Sequence, residues 1–140
     1  MKDHYGNHLT PFKNVNKILK TLKEHCLKEG QHLAIASKAS AKTMALTAFK
    51  EYGWNNNFSS IQIYYDTKTT HMNEIRKDLK LENCNDFLFF DDDQRNIIET
   101  SKIGVHAYLV TQDEGLNRFE LFDGLNKFNK SKSKINMDVD

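Results

Sequence analysis

A chain of 140 residues fits one compact domain, large enough to bury a hydrophobic core without disulfides or a structural metal. Apolar residues make up 39% and the formal charge is +1, so the chain should fold, and with no basic cluster nucleic acid is excluded as its main partner. The longest apolar runs, residues 33–36, 87–90 and 107–110, fall far short of the roughly 20 residues a membrane span needs. The start Met1-Lys2-Asp3-His4 has no signal-peptide character, which leaves a cytoplasmic protein with no membrane association as the expectation.

In chain order, Val15, Ile18, Leu19, Leu22 and Cys26 follow helical spacing, with Asn14 as N-cap and Gly30 as stop. Residues 33–36 read as a short buried strand. Ser40 can cap a second helix whose inner face holds Met44, Ala45, Ala48, Phe49 and Tyr52, ended by Gly53, with Trp54 anchoring the loop beyond. Residues 61–65, β-branched and aromatic, read as a strand. Residues 71–79 form a helix with Met72, Ile75 and Leu79 on one face, capped by Thr69 or Thr70. Residues 87–90 are an apolar strand, 97–103 a short helix and 105–110 another strand. A last helix places Leu116, Phe119, Phe122, Leu125 and Phe128 about three residues apart. Residues 130–140 are polar and aperiodic and read as a disordered tail, leaving 1–129 as the domain. Cys26 and Cys84 stand outside any CxxC spacing and read as ordinary thiols; the six histidines show no metal-ligand spacing and are assigned surface or packing roles.

Apolar strands separated by helices imply an α/β fold with a doubly wound parallel sheet. Such sheets bind ligands beyond the carboxyl ends of their strands. Three strand ends carry chemistry here. Ser37 and Lys38 follow the first strand and offer a hydroxyl and an ammonium, groups suited to an anion such as phosphate. Lys68 follows the second and can balance phosphate charge as a point cation. Asp91, Asp92 and Asp93 follow the third, and adjacent carboxylates are relieved by a hard divalent ion such as Mg²⁺. Each has an ordinary reading too: Ser37 as a turn residue, Lys68 as a surface group, the aspartates as a helix cap. The order hydroxyl, lysine, paired aspartates on successive strands is more specific than any one of them.

The stretch Phe89-Phe90-Asp91-Asp92-Asp93-Gln94-Arg95-Asn96-Ile97-Ile98 resembles the fourth motif of the magnesium-dependent phosphatases in the haloacid dehalogenase superfamily. Ala34-Ile35-Ala36-Ser37-Lys38-Ala39-Ser40 is similar to their second motif, and Lys68 falls at the third-motif lysine. The flanking pattern fits from about Gly6 to Phe128. The resemblance implies a haloacid dehalogenase-like Rossmannoid sheet and a phosphatase of phosphomonoesters working through an aspartyl-phosphate. It implies that Ser37, Lys38 and Lys68 bind the phosphoryl group, and that Asp92, supported by Asp91, holds Mg²⁺. The substrate class it implies is a phosphorylated protein (phosphotyrosine), a sugar phosphate or a small metabolite.

Two departures qualify these expectations. Lys38 stands where the family usually has Arg, which removes a planar bidentate fork. The family's first motif, a strand ending in Asp-x-Asp-x-Thr that carries nucleophile and general acid/base, has no counterpart in these 140 residues. The sequence is therefore expected to start after that motif, N-terminally truncated and without a catalytic residue of its own, as a pseudoenzyme or phosphate-binding regulatory module. The missing strand is the central one, between those ending at Ser37 and Asp91. Three outcomes are open for the two edges it exposes: direct pairing, completion by another chain in an oligomer, or marginal stability.

Overall fold

The computed structural model describes residues 15–26, 30–38, 58–111 and 116–138. Helix α1 (Val15–Thr21) continues as a π-helical stretch over Leu22–Cys26. Strand β1 (Ala34–Ser37) pairs in parallel with β2 (Ser60–Ile63), and α2 (Lys68–Asp78) follows. Strand β3 (Leu88–Asp91) leads to α3 (Gln94–Ser101) and pairs in parallel with β4 (His106–Leu109); α4 (Arg118–Asp138) ends the order. The expected Asn14 cap, the second helix from Ser40 to Gly53 and Trp54 lie outside the described residues.

Parallel pairing, with α3 connecting β3 to β4, is an α/β arrangement, as the alternating pattern predicts. The four described strands form two separate two-stranded sheets, β1–β2 and β3–β4. Of the three outcomes open for the exposed edges, direct pairing of β1 with β3 does not occur among the described residues. What does cross the gap is a set of side chains at the carboxyl ends of the strands, described below.

The core is built on α2. Lys68, His71, Met72 and Ile75 are its buried residues, an i, i+3, i+4, i+7 stripe. Met72 and Ile75 cluster with Cys84 and Val105, and Ala36, Leu79, Phe87, Phe89, Ile103 and Ala107 pack around them. Sequence patterning finds the apolar half of this stripe and misses the polar half. The cap is also displaced. Thr67, not Thr69 or Thr70, is the N-cap, its hydroxyl accepting from the Thr70 amide at 3.1 Å, so Lys68 is the first helical residue.

Helix α4 departs further from expectation. Residues three apart drift around a helix of 3.6 residues per turn, so the stripe through Phe119, Phe122 and Leu125 cannot stay on one face. Phe119 is 87% and Phe122 50% exposed, while Leu121 and Gly124 are buried. The expected disordered tail from residue 130 is instead helix as far as Asp138. Lys132 explains part of this continuation: its ammonium reaches Asp86 at 2.5 Å and lies 5.6 Å over the Phe128 ring.

Gly124 sets how closely α4 approaches the β3–β4 pair. A Cβ there would lie 2.5 Å from Cε1 of Phe90 and 3.4 Å from the Tyr108 ring. Gly124→Ala gains about 1 kcal/mol of helix propensity against an overpacking penalty of about 1–3 kcal/mol. The net expectation is a loss of stability in urea denaturation, turning into a gain when Phe90 is shortened to Leu.

Candidate anion site at the strand ends

Strand β1 delivers Ser37, half-buried, and then Lys38, exposed, at its carboxyl end. The Ser37 carbonyl accepts from the Tyr64 amide at 3.0 Å, which is the β2 side. Carbonyls alternate along a strand, so that of Ala36 faces the other edge. There the Lys68 ammonium donates to it. The same nitrogen stands 3.5 Å from Oδ2 of Asp91, the last residue of β3, and 5.6 Å from the centre of the Phe89 ring. Both side chains of this ion pair are more than nine-tenths buried.

A second bridge runs through Asn96. Lys38 donates to its Oδ1 at 3.0 Å, and its Nδ2 donates to Asp91 Oδ2 at 3.1 Å. Asn96 is buried, one turn into α3, where the Asp93 side chain caps the helix by accepting from the Arg95 amide at 2.9 Å. Lys38, Asn96, Asp91, Lys68 and the Ala36 carbonyl thus form one connected polar cluster. It spans the carboxyl ends of β1 and β3 and the start of α2.

Of the residues singled out from sequence, Lys38, Lys68 and Asp91 meet in this cluster. Ser37 stands beside it at the end of β1, and Asp92 stands next to it, exposed to solvent. Asp93 takes the helix-cap role, and the hydrogen bonds from Arg95 hold its carboxyl below the usual range. Sequence reasoning did not single out Asn96 as a site residue; its signal was its place one helical turn beyond the aspartates. No group of three or more His, Cys, Asp or Glu side chains poised for a metal occurs among the described residues. No described helix is long and apolar enough to cross a membrane.

Burial is the main influence on the Lys68 ammonium and pushes its pKa below the ordinary lysine value, with Asp91 working against the shift and Lys38 adding to it. Removing one partner of a buried ion pair strands the other. Lys68→Met and Asp91→Asn should each cost about 3–5 kcal/mol. The double variant should lose clearly less than the sum, as a double-mutant cycle in urea would show.

His71, fully buried, lies one turn beyond Lys68. Burial chiefly, then the Lys68 and Lys38 charges, hold its imidazole below the usual range, while its bond to the Tyr64 carbonyl and the Asp66 charge oppose this. The unfolded chain therefore takes up a proton near pH 6.5 that the folded chain refuses, so stability falls on acidification through that range. A His71→Gln variant should show a shallower acid-side decline, by up to about 1.4 kcal/mol per pH unit, in urea midpoints compared across pH.

The acid phosphatase family profile matches residues 1–131. Magnesium-dependent phosphatase 1 of Homo sapiens is 25% identical to this chain over 137 residues, which cover 95% of the chain and 72% of that protein. With a match of this extent, and with the motif residues Lys38, Lys68 and Asp91 joined in one cluster, the chain belongs to the acid phosphatase family, that of the magnesium-dependent phosphatases.

Proposed function

We propose that this protein is a magnesium-dependent phosphatase-like domain whose site binds the phosphoryl group of a phosphomonoester. The observation that carries the reading is the buried Lys68 ammonium, fixed by the Ala36 carbonyl and Asp91 at the strand ends. An ammonium has three donors. Two are taken by these partners, and the third serves a phosphoryl oxygen. Lys38, exposed on the same cluster, supplies a second cation, and the Ser37 hydroxyl a further donor at the end of β1.

The donor set also suits Mg²⁺, which takes one or two carboxylates and fills its remaining positions with water and phosphate. Asp92 is the direct ligand in this reading and Asp91 its support. Bound there, the ion would neutralise phosphoryl charge. Asp91 is already oriented by Asn96 and by the Asp93 amide, which donates to its Oδ1 at 2.9 Å.

In this reading the two strand pairs are halves of one haloacid dehalogenase-like sheet. The place between β1 and β3 belongs to a strand bearing Asp-x-Asp-x-Thr, supplied by an upstream segment of a longer chain or by a partner chain. The 140 residues alone then bind phosphate without covalent turnover. Their alternative role is a regulatory module that captures a phosphorylated ligand.

Calorimetric titration of the 140-residue protein with inorganic phosphate in the presence of Mg²⁺ should show binding. It should weaken about tenfold in Lys38→Ala, the loss of one charge-assisted hydrogen bond. Hydrolysis of p-nitrophenyl phosphate should be absent. Turnover that requires Mg²⁺ and disappears in Asp92→Asn would overturn the non-catalytic reading, and failure to bind phosphate would overturn the site itself.

A further inference from the structure

His71 sits where α2 and the end of β2 meet, with no solvent exposure. Its Nε2 lies 3.0 Å from the Tyr64 carbonyl oxygen, so this nitrogen carries the hydrogen and donates it. The Tyr64 ring stands edge-on to the imidazole, centroids 4.5 Å apart and planes at 73°. The other ring nitrogen, Nδ1, is buried without a hydrogen-bond partner among the described residues. A buried polar atom left unpaired is destabilising, and a leucine here would avoid it. What an apolar side chain could not supply is the donor at Nε2.

That donor acts on the segment preceding Lys68. Tyr64 directly follows β2, and the segment from Tyr64 leads to the Thr67 cap and then to Lys68 as the first residue of α2. The His71 amide bonds back to the Thr67 carbonyl at 3.2 Å, so the same residue holds the segment at both ends. Tyr64 is fixed from its other side too. Its hydroxyl donates to Gln62 Oε1 at 2.8 Å, and Gln62 in turn donates to Asp78 Oδ2 at 2.8 Å. Ser60 donates to that same carboxylate at 2.6 Å. Helix α2 is therefore tied to β2 near its start by His71 and at its end by Asp78. Lys68 and His71 share one helix face a turn apart.

We infer that His71 is a positioning residue for Lys68: by holding the Tyr64 carbonyl it fixes the segment that aims the Lys68 ammonium at the Ala36 carbonyl and Asp91. Its value for anion capture rests on the function proposed above, but its effect on Lys68 can be read independently. Glutamine carries an Nε2 amide donor at the same number of bonds from Cα as the histidine Nε2. Asparagine carries its donor one bond short, where Nδ1 stands, and leucine carries none.

The test compares His71→Gln, His71→Asn and His71→Leu with the unaltered chain. Competitive acetylation by acetic anhydride, followed by peptide mass spectrometry, measures Lys68 reactivity against that of the exposed Lys77. Lys68 should react about fivefold faster in the Asn and Leu variants and near the original rate in Gln, a ratio corresponding to one net hydrogen bond of about 1 kcal/mol. The same ordering should appear in the affinity for inorganic phosphate. Equal Lys68 reactivity in all three variants, whatever their stabilities, would show a purely packing role and overturn the inference. Should Asn and Leu fail to fold, ¹⁵N NMR of the unaltered protein and Gln decide. An Nε2-protonated ring and a Gln variant with Lys68 still protected support the inference; an Nδ1-protonated ring or an exposed Lys68 in Gln refutes it. If phosphate does not bind the unaltered chain, the phosphoryl reading fails while the acetylation series still decides the role of His71.

Discussion

The Lys68 ammonium, held between a backbone carbonyl of β1 and a carboxylate of β3, is the interaction on which the rest of the molecule turns. Two strand pairs that share no ladder among the described residues need something to bring their ends together, and a charge with several donors does it. Burying that charge opposes folding through desolvation, and the opposition is offset only because both partners are in place. The outward-facing carbonyl of Ala36 gains a donor that a neighbouring strand would otherwise provide. Stability draws on this group, and so does the phosphoryl binding proposed for it, so a change at Lys68 tests both.

The polar residues around this charge are supported in layers. Asn96 and the Asp93 amide orient Asp91, while His71 and the Tyr64–Gln62–Asp78 chain orient the segment before Lys68. Asn96, His71, Gln62 and Asp78 sit in helices or strands, and Tyr64 and Asp93 directly flank one, which keeps the charged atoms in one geometry. Family membership is carried by the match over residues 1–131.

Much of this was legible in the sequence because buried parallel strands leave unbroken apolar runs, and functional groups collect where such runs end. Residues 87–90 and the aspartates after them are the clearest case. Residues 71–79 were legible as a helix from Met72, Ile75 and Leu79. Its polar start was not, because a buried lysine and a buried histidine resemble surface residues until their partners are known. Asn96 was hidden for the same reason. The buried face of α4 is not legible in its spacing, because a repeat of three mimics an amphipathic stripe over two turns and then rotates away. The helical run to Asp138 was missed because a Lys/Ser-rich stretch shows no apolar periodicity, and Lys132 is held by one distant aspartate, Asp86.

The Asn96 side chain has a sense of direction. Its oxygen meets a cation that can only donate, and its nitrogen meets a carboxylate that can only accept. The amide therefore cannot be flipped without setting like against like at both ends, and its dipole lies along the line from ammonium to carboxylate. An anion that drew Lys38 off would uncover the oxygen while leaving the nitrogen engaged. News of that arrival would reach Asp91 through a neutral group with no proton to gain or lose across the physiological range.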